Sequence, residues 1–383
     1  MKKQNLYFTI TLSILLMICL GIVYSYSIFR LEIESVYQIN KTLSGLPFMI
    51  VLLFYALSMA FSGILYDRFS SLYMSITGIF FISFGFILAS FANDIYLITF
   101  SYGVLIGIGI GILYTLPLRV ISYMDYNKKG LLTGLVLMGF GISPMISAPI
   151  VEYMLSHMGL SMTFLYLGIF YFICLTLLII PLVSRDQKPL QKIIVDQSFL
   201  KNKRFYLIYI LFFIATFIGL SMIGLTSTIG VEQFQISLLE ISIWLGVFSI
   251  FNAIGRPLFG YINDRYSFNL ASILSYTSII IVSILTIFFL NVKIIFIISF
   301  IIFYINLGGW LSLAPAATLK TFGKEKYSQT YGFMFTAYGL GAFLGSGITS
   351  IFLDYFSYQS IYILIIFMSF IAMFFIIKIK KVE

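Results

Sequence analysis

Gly63-Ile-Leu-Tyr-Asp67-Arg68 returns as Gly260-Tyr-Ile-Asn-Asp264-Arg265, about 197 positions later. Each copy closes a long apolar run and sets an acid–base pair at its exit. Working outward, other landmarks keep nearly the same offset: Gly21 with Gly219, Pro117 with Pro315, Gly134 with Gly332, Gly141 with Gly339. A chain built twice on one membrane-embedded plan is the pattern of secondary transporters, whose substrate sits between the repeats.

Composition agrees. Of 383 residues, 61% are hydrophobic and only 10% charged, too few charges to cover such a surface in water, so the bilayer must be the solvent. The apolar run after Lys2 and Lys3 is too long for a cleavable leader and is followed by further spans. Cys19 and Cys174, the two cysteines, each fall inside an apolar segment and are expected at separate core or lipid-facing positions, not in a disulfide or metal site. The single histidine, His157, is placed in a short loop. A zinc site or histidine triad needs more than this, so no metal or other cofactor is expected, and an embedded enzyme lacks its paired acids or its nucleophile with a base.

Apolar runs long enough to cross ~30 Å of hydrocarbon occur near 7–29, 42–65, 72–92, 95–118, 131–154 and 160–183. A second set lies near 205–229, 241–262, 270–290, 294–318, 328–353 and 357–377. The expected fold is an all-α membrane protein of twelve transmembrane helices. Its two pseudo-symmetric six-helix bundles are residues 1–183 and 205–383, joined by a polar, lysine-rich linker at 184–204.

The formal charge of +9 does not imply a nucleic-acid partner, because its placement follows topology. Nineteen of the 23 Lys and Arg residues fall on the N-terminal side of the membrane. Arg30, Lys41 and Lys293 fall on the other, and Arg256 lies within a span. By the positive-inside rule both termini are cytoplasmic. Short loops and no extra domain suit a multi-pass protein of a bacterial inner (plasma) membrane, and a monomer suffices for a two-bundle carrier.

Each Gly-x-x-x-Asp-Arg copy falls at the cytoplasmic end of its half's second helix. The glycines Gly63 and Gly260 let neighbouring helices approach closely. Asp67, Arg68, Asp264 and Arg265 can then pair with neighbouring helix ends and latch the inner side shut. The paired motif resembles the loop signature of the major facilitator superfamily, although the basic run that usually follows is weak: Ser70, Ser71 and Leu72 in one copy, Ser267 and Phe268 in the other.

Further stretches narrow the resemblance. Gly21-Ile-Val-Tyr24-Ser-Tyr26-Ser-Ile-Phe29, Gly107-Ile-Gly109-Ile-Gly111-Ile-Leu-Tyr114-Thr-Leu-Pro117, Lys128-Lys129-Gly130-Leu-Leu-Thr-Gly134 and Gly139-Phe-Gly141 are similar, in order, to the oxalate/formate antiporter family. Asn252-Ala-Ile-Gly255-Arg256-Pro257 is similar to that family and to the related monocarboxylate transporters. Where the antiporter family often has Gly-Trp-Arg after span five, this chain has Gly159-Leu160-Ser161, which weakens an extracellular gate of that kind.

Arg256 is the residue on which a function can be built. About 15 residues into its span it is past the midplane, at ~1.5 Å per residue. An arginine at a helix centre costs about 2.5–3.5 kcal/mol on insertion scales, and no Asp or Glu lies at comparable depth to neutralise it. Its planar fork of donors fits an incoming carboxylate; the resemblance implies the same, since a matching arginine in those carriers contacts the substrate anion. The alternative is that it snorkels to the headgroups under ~10 Å away.

Asn252, one turn earlier on the same face, can bind substrate, orient Arg256 or make an interhelical hydrogen bond. The resembling position in proton-coupled monocarboxylate carriers holds an acid, so that proton relay is not expected. Tyr338 stands where the oxalate carrier type has a lysine. One cation instead of two favours a small monocarboxylate over oxalate, with Tyr338 donating through its hydroxyl. Tyr24, Tyr26 and Tyr114 occupy family-like positions for the opposite wall, and Trp310 lies near the corresponding part of span ten. Among 27 tyrosines, any one is more often packing than ligand. Arg119, two residues after Pro117 at an inner span end, reads as structural.

The expected function is secondary or facilitated transport of a small organic anion by alternating access, with an exchanged anion or a proton as the coupled species. Efflux of an amphipathic, drug-like solute is the rival, since 41 Phe and 27 Tyr can line a greasy cavity. A membrane sensor that binds without transporting is a third reading.

Overall fold

The computed structural model describes residues 3–123, 129–185 and 198–380. Lys128 and, from the expected linker, residues 186–197 lie outside them. No strand occurs among the described residues. In hydrocarbon each backbone polar group must be satisfied within its own segment, and for long apolar runs the helix does this.

Eleven helical stretches are long and apolar enough to cross a membrane: α1 Leu6–Tyr37, α2 Lys41–Tyr66, α3 Ser71–Ser90, α4 Ile95–Ile121, α5 Leu132–Val183, α6 Lys203–Gln233, α7 Leu238–Arg265, α8 Phe268–Phe288, α9 Lys293–Gly323, α10 Thr330–Tyr355 and α11 Tyr358–Lys378. The apolar runs in the sequence predict twelve. The difference lies in α5, whose 52 residues run through two helices that meet at Gly159, in a left-handed conformation (φ 73°, ψ 178°). Only a residue without Cβ takes this backbone at no steric cost. The helix therefore continues to His157, whose ring stacks on Tyr153 at 4.1 Å, and the expected loop shrinks to one reversing glycine.

The sequence repeat is also a repeat of local geometry. Gln38 (φ 50°) and Gln235 (φ 54°) end α1 and α6 in the left-handed region. Asn40 then caps α2 through the Leu43 amide, as Ser237 caps α7 through that of Glu240. Ser70 and Ser267 cap α3 and α8 in the same way, accepting from Tyr73 and Leu270. All three pairs keep the offset of the Gly-x-x-x-Asp-Arg motif. The serines standing where a basic run is missing are thus helix starts, each satisfying an otherwise orphaned amide.

The residues before and after 186–197 make up the first and second halves of the molecule. The end holding Lys41, Glu232 and Asp354 is distal; the end holding Leu6, Arg68 and Arg265 is proximal. The halves meet along a seam where α2 lies against α6 and α10, α1 against α6, and α5 against α7. Phe80, Phe84, Phe170, Ile281, Phe367 and Phe370 face outward, as side chains solvated by lipid do.

Two placements add contacts that the sequence does not show. Arg30, read with Lys41 as falling on the side opposite the termini, does lie beside Lys41 at the distal end, but within α1, which continues to Tyr37, and it is 1% exposed. Cys19 and Cys174, expected apart, bring their sulfurs to 3.7 Å where α1 meets the second arm of α5. Proximity between helices distant in sequence has no local signature.

Candidate functional site

Asn252 and Arg256 are placed by close contact between α7 and α9. A Cβ at Gly308 would collide with the Asn252 backbone, so the glycine permits the crossing. The Asn252 amide donates to the Tyr304 carbonyl at 3.2 Å, and Ser312 donates to the Arg256 carbonyl at 2.9 Å. Held from behind, both side chains project across the seam toward α5.

Arg256 is 6% exposed. Its Nη1 donates to the Leu137 carbonyl of the opposite half, while Nε has no partner and neither does Oδ1 of Asn252. Among the described residues no carboxylate pairs with Arg256. A guanidinium has five N–H donors, and an unpaired buried one carries a desolvation cost of about 1–3 kcal/mol. A Cβ at Gly141 would come within 2.7 Å of Asn252 Oδ1 and 3.2 Å of Arg256 Nη2. The absent side chain at Gly141 thus makes room for both polar groups.

Beside the arginine stands an aromatic box. The Tyr24 and Tyr338 hydroxyls meet at 2.7 Å across the seam. Tyr55 lies with ring centroids 5.3 Å from Tyr114, 5.7 Å from Phe140, 5.5 Å from Phe335 and 5.7 Å from Tyr338. Phe335 stacks on Tyr338 at 4.7 Å, and Tyr24 meets Phe140 edge-on at 5.1 Å. Phe140 of this box is next in sequence to Gly141, whose backbone faces Asn252 and Arg256. Local geometry helps: α1 tightens into a 3-10 turn over Gly21–Ser25, which carries Tyr24.

Of the residues expected at the site, Arg256, Asn252, Tyr338, Tyr24 and Tyr114 come together. Tyr26 does not join them: its hydroxyl donates to the Ser44 carbonyl and its ring stacks on Phe48. Trp310 is also elsewhere, donating to Ser275 at 3.0 Å and packed on Phe268 and Tyr276. Arg119 lies over the Tyr66 ring at 5.3 Å. Tyr55, Phe140 and Phe335 complete the box and were not anticipated. The repeat could have found two of them: the motif's offset maps Asn252 onto Tyr55, and the Gly141–Gly339 offset maps Tyr338 onto Phe140.

At the proximal end the repeated motif is not closed up. Among the described residues, nothing comes within 4 Å of a Cβ placed at Gly63, and at Gly260 only Ser312 Oγ does, at 3.9 Å. Arg68 is exposed. Arg265 donates to the Tyr261 hydroxyl at 2.6 Å, and Asp264 accepts from Asn263. These bonds join neighbours within the second half. The Asp67 side chain lies outside the described residues. Among the described residues, these glycines do not show the close helix approach expected of them.

A family profile described as Major Facilitator Superfamily matches residues 6–345 and 231–383. The "Oxalate:formate antiporter" of Oxalobacter formigenes is 23% identical over 278 residues, 70% of this chain and 66% of that protein, just under two thirds of its length. "Monocarboxylate transporter 9" of Pongo abelii is 33% identical over 84 residues, 22% of this chain and 16% of that protein. Among solved structures, a bacterial homolog of the human lysosomal transporter Spinster, in an inward-facing and occupied conformation, superposes with a TM-score of 0.77. It shares 13% identity over 100% of this chain and 98% of that one.

Proposed function

The chain belongs to the Major Facilitator Superfamily, and we propose that it carries a small organic anion, a monocarboxylate, across the membrane, binding the carboxylate at Arg256. One observation carries this reading: a nearly buried guanidinium at the seam, with one protein acceptor, an unpartnered Nε and no described carboxylate beside it. A carboxylate accepts two parallel N–H bonds from such a fork. The Tyr24–Tyr338 hydroxyl pair supplies further donors, and the aromatic box accommodates the apolar remainder of the anion. A second cation for a dicarboxylate is absent from the described cluster, so oxalate is the poorer fit.

In the cycle we infer, the bound anion cancels the Arg256 charge. Residues 1–183 and 205–383 then rock about the seam and expose the site at the other end. The proximal glycines Gly63 and Gly260, which have no close neighbour among the described residues, would be approached by neighbouring helices in the alternate state. The bundles work in the plasma membrane with both termini cytoplasmic, as the distribution of basic residues implies, and a monomer suffices. The coupled species is an exchanged anion or a proton carried with the substrate.

Uptake of labelled pyruvate, lactate, formate and oxalate into proteoliposomes tests the reading. Saturable monocarboxylate uptake, competed by other short acids, is expected. Competition by hydrophobic cations and none by short acids would instead favour an amphipathic-solute carrier, for which the aromatic box is the supporting feature.

A further inference from the structure

The distal end of the seam holds a second cluster of charges, built quite differently from the first. Arg30 on α1 is 1% exposed, and five acceptors surround its guanidinium. Nε donates to Glu34 at 3.2 Å and Ser44 Oγ at 3.1 Å, Nη1 to the Gly224 carbonyl at 3.3 Å, and Nη2 to the Lys41 carbonyl at 2.6 Å and Ser350 Oγ at 3.0 Å. Two of these, Gly224 on α6 and Ser350 on α10, belong to the second half. Ser44 also donates to Glu34 at 2.5 Å.

Asp354, at the distal end of α10, reaches across to the start of α2. Its carboxylate accepts the backbone amides of Lys41 at 2.8 Å and Thr42 at 2.9 Å, together with the Thr42 hydroxyl. Those amides belong to the first turn of a helix, where no intrahelical acceptor exists and a negative charge is favoured. The second half thus caps a helix of the first. The Lys41 ammonium meets Glu232 on α6 at 2.5 Å, and Tyr358 on α11 donates to the same carboxylate. One turn inward on α1, Ser27 accepts from Ser227 of α6 at 2.9 Å.

We propose that Arg30, Lys41, Glu232 and Asp354, supported by Glu34, Ser44 and Ser350, form an ionic lock. It holds the distal mouth of the carrier closed and must break in every transport cycle. Two properties suit them to this. The bonds cross from one half to the other, so separating the halves at this end removes several at once. Each also has a charged group on at least one side, paired with an opposite charge in Lys41–Glu232 and with neutral donors or acceptors at Arg30 and Asp354, and water readily solvates these charges once the mouth opens, so breaking the bonds is reversible. Neutral packing could close the mouth, but only these groups have both a strong partner when closed and strong hydration when open. The proposal rests on alternation between two ends and does not depend on which anion, if any, binds Arg256.

The test measures access to Ser27, fully buried one turn inside the lock. In a Cys19→Ser, Cys174→Ser background, Ser27→Cys is labelled with a hydrophilic maleimide in nanodiscs without substrate. An intact lock makes labelling slow. Asp354→Asn removes the charge from a group accepting three hydrogen bonds and should accelerate labelling about tenfold. Lys41→Glu and Glu232→Lys, each alone, should also accelerate it, and the two combined should return it toward the slow rate. The pair is partly solvent-exposed, so these variants are expected to fold even if Asp354→Asn does not. Equal rates in all variants would overturn the proposal, as would a double swap no slower than its single parents. Since no substrate is present, a wrong assignment of the anion cannot produce either outcome.

Discussion

Two arginines in this molecule are almost equally hidden, and the protein treats them in opposite ways. Arg30 is 1% exposed and has five acceptors around its five N–H groups; Arg256 is 6% exposed and has one. Removing a guanidinium from water costs several kcal/mol, and at the distal end carbonyls, hydroxyls and a carboxylate offset that cost. At the centre it is left largely uncompensated. A fully matched cation has nothing left to offer a ligand, whereas an undermatched one gains by binding an anion. On the proposed reading, burial alone does not mark an anion site; burial with unfilled bonding capacity does.

The contrast between the two arginines is open to challenge at several points. The largest effect is expected at Arg30→Ala, which leaves Glu34 without its cation and strips acceptors on both halves of their donor. Breaking a buried pair of this kind costs about 3–5 kcal/mol, read as a marked fall in melting temperature in detergent. Arg256→Ala should leave that temperature nearly unchanged, because the side chain holds only the Leu137 carbonyl. If the two variants melt alike, the contrast fails.

Next is Arg256→Lys, which keeps the charge but loses the planar fork. Anion uptake should fall about tenfold with the amount of folded protein unaltered. Uptake at the parental rate would mean that a point charge suffices and that no bidentate contact is made. Gly141→Ala should reduce uptake severalfold, because the new methyl group lies 2.7 Å from Asn252 Oδ1 and forces it and Arg256 to shift. The smallest effect is expected for Tyr338→Phe. It deletes the hydroxyl that meets Tyr24 and should raise the half-saturating anion concentration about threefold, with expression retained.

How much of this was legible in the chain varies from residue to residue. The repeated Gly-x-x-x-Asp-Arg phrase and the spacing of apolar runs set out the membrane fold, because both follow from hydrophobic length, a local property. Arg256 was legible as a cation stranded in an apolar run, and Asn252 through its position one turn away. Tyr55 and Phe140 were not, since an aromatic ring packed inside the protein looks in sequence like one facing lipid. Only the repeat offset distinguishes them. The burial of Arg30 was not legible because it comes from α6 and α10 folding over it, more than 190 residues further along. Tyr26 and Trp310 lie at family-like positions but turn to other partners.

The central claim, that Arg256 is the seat of a carboxylate, is tested most directly by equilibrium binding. Purified protein and its Arg256→Ala variant, matched for melting temperature, are titrated calorimetrically with formate, lactate and pyruvate. The account predicts saturable binding of at least one of these acids to the parent and a loss of about 100-fold or more in the variant, in line with an ion-pair contact of roughly 3 kcal/mol. Equal affinity in the two proteins would contradict it.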